Sequence, residues 1–494
     1  RQVLSLGLLV DHRSKKKSKY LILFELIHAG TVNSDEEAIQ QLDYQNRSSF
    51  KKFRDRYQSK ILDLVTWVEA RAGKTDKHNE DYFKLLKLFQ SAKILHTRHE
   101  KKNALPIYEY VRKQAKRFEF IHLELQCNIS LREHYAYVQP HQKKLQFYND
   151  ELDQCHKHYN KMIHLKHLYD ELSHKNLVLS GPKLEEFRSE AMTVSKNLMA
   201  SVEPDDQYTY KYKVYEISSF AYSLNNQLHK AIDISKKSLV LSQKHFETVH
   251  RDTLTAYFDI LTSYLKLHDY TKAKRYLDEI LQFEKKFSYS LFRLKSLEFA
   301  LYAITKEYDN LPELCNFILS NKKIKNFPLI REEWLIRDGY VQLLKEAYII
   351  QNSTDDIKIL KFKVSKFLNQ IQYFSKDKRG TYIAVLVLEL MFYLLRKKYI
   401  KILEKLNALS QYTYRYLRND ATLRSNCFIK MLLKLPEAEY NPIRTKRYVA
   451  KYEARLNDTP FEVSLRPINI EIIPYEYLWS MIIDILNKNL RKKK

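Results

Sequence analysis

A turn with three cations, Lys376, Lys378 and Arg379, precedes the most apolar run of the chain, Ile383–Leu395. The N-terminus of a helix presents unpaired N–H groups and the positive end of its dipole, and this arrangement binds anions. Phosphate-binding loops place several glycines together, whereas this turn has only Gly380. Two interpretations stay open: a turn that starts a core helix, and a contact for an anion or an acidic partner.

Imidazole groups are concentrated in the segment Cys155–His167. On a helix, His156 and His167 would share a face, and His164 precedes His167 by three residues. The signatures of zinc sites, HExxH or paired CxxC, do not accompany them. We therefore expect imidazoles on the solvent side of a long helix, and we predict no metal site and no cofactor.

Motifs of nucleophilic and nucleotide-dependent enzymes are missing from the sequence. There is no Gly-x-Ser-x-Gly elbow, no Walker loop and no dinucleotide-binding fingerprint. The adjacent carboxylates Glu332 and Glu333 lie in a charged helical segment, where we expect both to be solvated. The sequence predicts a protein that is not an enzyme and has no catalytic residue.

A second group of cations lies near the N-terminus, where the pattern predicts three helices. The first is Lys19–His28, the second follows a cap at Ser34, and the third runs from about Arg47 to Ala72. The third helix carries cations opposite its apolar stripe: Arg47, Lys51, Lys52, Arg54 and Arg56. A helix-turn-helix DNA module could use them, although this helix is longer than a recognition helix. The alternative is a solvated helix face.

The net charge of the chain is +26, from 85 Lys and Arg against 59 Asp and Glu. Such an excess favours polyanionic partners, which include nucleic acid, an anionic membrane surface and acidic proteins. Lysine-rich helix faces also keep large helical proteins dispersed. Charge alone leaves both explanations open.

Composition and periodicity predict an all-α fold. Only 6 Gly and 11 Pro occur among 494 residues, too few for the tight turns of a sheet-rich protein. The apolar fraction of 45% and the charged fraction of 29% suit long amphipathic helices.

The four cysteines are scattered, and we expect them to be reduced and buried in a cytoplasmic protein.

The run Ile383–Leu395 is too short to span a bilayer and contains Glu389, so we expect no membrane span. The chain begins with Arg1 rather than Met, so a preceding segment, including a signal peptide, stays open.

Paired helices recur along the chain, each with an aromatic residue late in the first helix and a small residue early in the second. Ala231 and Ala273, which are 42 residues apart, hold the small position. The aromatic positions are Tyr222, Tyr264, Tyr270, Tyr393 and Tyr399. A small residue lets two helices cross closely, and this pattern resembles a degenerate tetratricopeptide repeat.

Four stretches resemble a family of uncharacterised tetratricopeptide-like all-helical proteins common in Bacteroidetes. They are "SAKILHTRHEKKNALPIYEYVRKQAK", "FSKDKRG", "RYLRNDATLRSNCFIKMLL" and "IEIIPYEYLW". The resemblance extends over most of the chain and implies a further helix before Lys19. It implies the fold and no catalytic residue.

We therefore predict a tetratricopeptide-like α-solenoid over 77–435, after a three-helix N-terminal segment, 1–76, and before a C-terminal capping segment, 436–494. The predicted function is a scaffold or adaptor that binds a protein or peptide, including an acidic one, through a helical-repeat groove. The alternative is a nucleic-acid-associated protein, through RNA in basic grooves or DNA at the N-terminal helices. The sequence does not predict an oligomeric state.

Overall fold

The structure is a computed structural model. It describes residues 18–32, 34–67, 77–179, 182–204, 206–245, 251–283, 288–350, 362–371, 382–416, 423–459, 461 and 471–491. These residues form helices and turns, with no strand among them, which confirms the all-α class. No helix in this part of the chain combines the length and the apolar character that crossing a bilayer requires.

The chain divides into two compact units, Arg1–Ile107 and Tyr108–Lys494. The first unit contains α1 (Lys19–Ala29), α2 (Asp35–Gln41), α3 (Arg47–Trp67), α4 (Lys77–Thr97) and the start of α5 (Lys101–Arg117). The second unit continues with α6 (Ile121–Glu133), α7 (Gln142–Val178), α8 (Pro182–Ala200), α9 (Tyr208–Leu224), α10 (Leu228–His245), α11 (Arg251–Lys266), α12 (Tyr270–Phe283), α13 (Tyr289–Thr305), α14 (Leu311–Leu319), α15 (Pro328–Glu346), α16 (Val364–Leu368), α17 (Tyr382–Leu395), α18 (Tyr399–Tyr416), α19 (Leu423–Glu437), α20 (Pro442–Asn457) and α21 (Tyr475–Arg491). The predicted segment boundaries at 76 and 435 stay predictions.

The first unit has a small core between α1, α2 and α3. Phe50 and Phe53 are buried there, and the ring of Tyr20 stacks on that of Phe53 with centroids 4.9 Å apart. Ser34 caps α2, because its hydroxyl accepts the N–H of Glu37 at 3.2 Å. The cap satisfies one of the free N–H groups at the start of this short helix.

In the second unit, helices pack mainly on their neighbours in the sequence. Each helix from α8 to α12 contacts the next one, and α17 to α21 repeat this order. Alternate helices also meet, since α9 contacts α11 and α11 contacts α13. The odd-numbered helices α9, α11 and α13 therefore lie side by side.

The turns between paired helices share one geometry. The carbonyl of a tyrosine accepts the N–H five residues later, at 2.9–3.0 Å, at Tyr222, Tyr264, Tyr302 and Tyr393. The residue four positions after each tyrosine has a positive φ, and these residues are Asn226, His268, Lys306 and Lys397. This is the Schellman ending of a helix, which usually has glycine at the positive-φ position. The chain makes these four turns without glycine.

A lysine eight residues after the tyrosine places its ammonium group near the ring in three of these pairs. The distances from Nζ to the ring centre are 5.7 Å for Lys230 and Tyr222, 5.6 Å for Lys272 and Tyr264, and 5.8 Å for Lys401 and Tyr393. Such cation–π contacts stabilise by roughly 0.5–1 kcal/mol each at exposed sites. The tyrosine thus links the turn to the following helix.

Gly339 allows a close approach of α15 to α17. A Cβ atom at this position would lie 2.5 Å from Cδ2 of Leu388 and 3.4 Å from the ring of Phe367. Both of those side chains are buried, so neither has open space to move into.

The last helix, α21, packs on α17, α19 and α20. Arg424 on α19 holds the segment before it, with Nε and Nη2 at 2.9 and 2.7 Å from the two carboxylate oxygens of Glu471. Glu471 also accepts the N–H of Tyr475, the first residue of α21, at 2.6 Å. A buried arginine–carboxylate pair thereby fixes the start of the terminal helix.

Candidate functional site

Partly exposed side chains form stripes on α9, α11 and α13, and the stripe is narrowest on α11. In α11, most residues are buried, and the partly exposed ones follow one face: Asp252, Thr255, Asp259 and Lys266. The spacing of three, four and seven residues keeps them on one side of the helix. Charged and polar groups on these stripes form the candidate site.

Lys213 and Glu216 occupy the stripe of α9. The Nζ of Lys213 lies 2.6 Å from Oε2 of Glu216 and 4.2 Å above the ring centre of Tyr169, on α7. The side chains of Lys213 and Glu216 are 24% and 14% exposed. Burial, together with the carboxylates of Glu216 and Asp259, raises the pKa of Tyr169 to about 12. The tyrosine therefore stays protonated at neutral pH.

Asp259 on α11 is influenced by the charge of the Glu216 carboxylate on α9. Burial and the negative charge of Glu216 raise the pKa of Asp259 to about 7, against the opposing influence of Arg293 and Lys266. An added cation near this pair would relieve the repulsion and favour the charged form of Asp259.

Arg293 on α13 influences the ionisation of carboxylates on two other helices. Its charge acts on Asp259 and also on Glu333 of α15. Glu333 is bound by Arg337 at 2.5 Å and lies 3.5 Å from the hydroxyl of Ser296. Burial raises the pKa of Glu333, and the arginine opposes that rise.

The predicted solvation of Glu332 and Glu333 is wrong. Both residues are buried in α15, at 4% and 7% exposure. The helix packs on α14 and α17, so a charged segment is covered on more than one side. The ion pair with Arg337 compensates part of the cost of burying the Glu333 carboxylate.

We name these six residues the charged line: Lys213, Glu216, Asp259, Arg293, Glu333 and Arg337. It has three cationic and three carboxylic side chains on four helices, so it has no excess of either sign. The whole chain has a net charge of +26. The charged line therefore does not resemble the basic groove of a polyanion-binding protein, and it can contact both signs of charge on a partner.

The predicted anion-binding turn with Lys376, Lys378 and Arg379 lies outside the described residues. The helix after it begins at Tyr382 in the structure. Its Glu389 is buried, at 2.9 Å from Nζ of Lys405 on α18. Burial raises the pKa of Glu389, and Lys405 opposes that rise.

The N-terminal cations form part of the surface of α3. Arg47 lies 3.2 Å from Glu36 and Arg54 lies 2.5 Å from Asp35, both in the first turn of α2. Lys51, Lys52 and Arg56 are exposed. The acidic first turn of α2 is unfavourable next to DNA phosphates, and it already pairs with two of the five cations.

The residues predicted for repeat packing lie near the turns between paired helices: Tyr222, Tyr264 and Tyr393 near the end of the first helix, and Tyr270 and Tyr399 at the start of the second. Ala231 and Ala273 have no exposed surface, and the carbonyl of Ala231 accepts the hydroxyl of Ser219 on α9 at 3.3 Å. Tyr264 is buried against Tyr276 with ring centroids 5.6 Å apart. Tyr270 and Tyr399 are the first residues of α12 and α18.

The histidines of α7 do not converge on one point. His156, His164 and His167 are exposed along the helix. Within the described residues, no group of three or more His, Cys, Asp or Glu side chains is arranged to hold a metal ion. All four cysteines are buried, and none of them forms a disulfide.

The charged line is not predictable from the sequence, because its members come from four helices and are up to 124 residues apart. The sequence contains one weak signal for a functional site on α11, because Asp259 is a charged residue in the middle of a largely apolar helix.

The comparisons with known proteins give no relative for this chain. No protein-family model, no curated protein and no solved structure matches it. The resemblance to tetratricopeptide-like proteins of Bacteroidetes therefore stays a prediction from the sequence.

Proposed function

We propose that this protein is a non-catalytic scaffold whose second unit is a tetratricopeptide-like α-solenoid. Helix pairs that pack on their sequence neighbours, with recurrent tyrosine turns, support this architecture. In such arrays, side chains projecting from the first helix of each pair contact an extended segment of the partner.

The charged line carries this proposal. Its partly exposed members lie on α9, α11 and α13, the helices that lie side by side. An extended peptide that crosses these helices meets Lys213 and Arg293, which bind carboxylates, and Glu216 and Asp259, which bind cations. The partner is therefore a peptide segment of mixed charge, with a basic side chain near Glu216 and Asp259.

A selection from a phage-displayed library of random 12-residue peptides on the immobilised full chain tests this function. The wild type should enrich peptides of mixed charge, and the double variant Glu216→Gln/Asp259→Asn should lose them. The control variant Glu186→Gln/Asp233→Asn makes the same charge change at exposed positions on α8 and α10 and should keep them. An absence of enriched peptides, or equal recovery by all three proteins, would contradict the proposal.

A further inference from the structure

The exposed side of α20 differs from the charged line, because it is strongly basic. The helix buries Thr445, Val449 and Leu456, which share the face that packs on α19. Five cations and one acidic residue, Glu453, occupy the rest of the helix. The cations are all exposed: Arg444, Lys446, Arg447, Lys451 and Arg455.

Four of these five cations have no ionic partner in the part of the chain that the structure describes. Arg444 is paired, with Nη1 at 2.9 Å from Oε2 of Glu439. Ion pairs along a helix surface form between residues at i,i+3 or i,i+4. Four exposed cations without an ionic partner among the described residues therefore give this helix a concentrated positive charge.

The neighbouring helix α19 extends this surface. The Nζ of Lys430 lies 5.7 Å from the ring centre of Tyr452 on α20. Lys430 and Arg455 are both close enough to Cys427 to oppose the rise in its pKa that burial causes. The contact with Tyr452 places Lys430 next to α20.

An aromatic ring lies within this row of charges. Tyr448 is 49% exposed and falls between Arg447 and Lys451 in the sequence. We define the basic face as Lys430, Arg447, Tyr448, Lys451 and Arg455. At 1.5 Å per residue, its α20 cations follow one another at roughly 6 Å along the helix axis.

We propose that the basic face binds single-stranded nucleic acid. Successive cations follow a phosphate backbone, which carries one negative charge per nucleotide, and an exposed aromatic ring stacks on an unpaired base. Base pairs in a duplex are already stacked, so the ring of Tyr448 adds binding energy only for a single strand.

Two other polyanions fit this surface less well. An acidic peptide would use the cations but not the exposed ring of Tyr448. An anionic membrane would need a row of apolar side chains, and Ile443 is the only large aliphatic residue that α20 exposes. The alternation of cations with an aromatic residue favours the nucleic acid.

Fluorescence anisotropy of the full chain with labelled 20-nucleotide oligouridine and oligodeoxythymidine, at 50 and 200 mM salt, tests the proposal. The double variant Arg447→Glu/Lys451→Glu should weaken binding at least tenfold and reduce the salt slope by about 1.4, the effect of two lost phosphate contacts. Tyr448→Ala should weaken binding at least fivefold and leave the slope unchanged. Tyr448→Phe should bind like the wild type.

The matched control is Lys322→Glu/Lys325→Glu, which makes the same charge change at exposed lysines between α14 and α15. It should change the affinity less than twofold. Absence of wild-type binding, or equal weakening by the control, would overturn the proposal. Binding as tight to a 20-base-pair duplex or to a 20-residue polyglutamate would overturn it too. The two oligonucleotides show whether RNA or DNA is preferred.

The basic face shares no residue with the charged line. Variants of Glu216 and Asp259 should therefore leave oligonucleotide binding unchanged, and variants of the basic face should leave peptide selection unchanged. The two proposals can fail separately.

Discussion

Lys213 Nζ lies 2.6 Å from Glu216 Oε2 on α9 and 4.2 Å above the ring centre of Tyr169 on α7. The ion pair fixes the position of the Glu216 carboxylate. The negative charge of this carboxylate contributes to the raised pKa of Asp259 on α11. Two carboxylates on neighbouring helices repel each other, so the arrangement lowers stability in the absence of a cationic partner. A local loss of folding stability of this kind is typical of a binding surface.

The first prediction concerns the pH dependence of stability. The pKa of Asp259 is about 7 in the folded chain and ordinarily 3.8, so the folded state binds more protons between these values. Its contribution to the free energy of unfolding therefore falls as pH rises from about 4 to 7. Asp259→Asn should remove this loss and raise stability at pH 8 by about 1–2 kcal/mol relative to wild type, allowing for partial exposure.

Urea unfolding at pH 5 and pH 8 measures this difference. The exposed Asp233→Asn variant is the control and should follow the wild type at both values. Identical pH dependence of the Asp259→Asn variant and the wild type would contradict the assignment of a raised pKa.

The second prediction concerns the helix-ending turns. Lys397 has a φ of 55°, a conformation that costs a residue with a side chain about 1–2 kcal/mol. Lys397→Gly should stabilise the protein by about 0.5–1 kcal/mol after the greater flexibility of glycine in the unfolded chain is included. Lys237→Gly, inside α10, should instead destabilise by about 1 kcal/mol. Thermal unfolding distinguishes the two, and a loss of stability in both would contradict the role of the turn.

The third prediction concerns the approach of α15 to α17. The Cβ of Gly339→Ala would overlap Leu388, and overpacking costs about 1–3 kcal/mol against a gain of about 1 kcal/mol in helix propensity. We expect a net destabilisation of about 1–2 kcal/mol by urea unfolding. The same substitution should cost less in a Leu388→Ala background, because the overlapping atom is gone. Equal costs in both backgrounds would mean that the two helices are not in close contact here.

The fourth prediction concerns Arg424 and Glu471. Arg424→Ala would leave a buried carboxylate without its partner, at a cost of about 3–5 kcal/mol. Glu471→Gln in the same chain should recover part of this loss, because an uncharged amide is easier to bury. A double variant no more stable than Arg424→Ala would show that the charge of Glu471 is not the cause.

Local patterns in the sequence predicted the helix pairs. The spacing of Ala231 and Ala273, and of Tyr222 and Tyr264, follows from contacts between helices that are adjacent in the chain. The positive-φ residues were not predicted, because Asn226, His268 and Lys397 replace the glycine that signals such a turn.

Contacts between distant segments were not predictable from these patterns. Arg424 and Glu471 are separated by 47 residues, and nothing in either segment indicates the partner. Glu333 looked solvated because helical periodicity does not show how many neighbours cover a helix. The basic residues of α20 were present in the sequence. Their exposure, and the absence of ionic partners for four of them among the described residues, became evident only from the packing of α20 on α19.

Site-specific photo-crosslinking tests the central claim, that a partner segment lies along the charged line. A benzophenone amino acid replaces Thr255, one turn before Asp259 on α11, or Asp233, which is exposed on α10. A labelled peptide from the library selection should form an adduct with the chain modified at position 255 and none with the chain modified at position 233. Adducts at position 233, or none at position 255, would contradict the account.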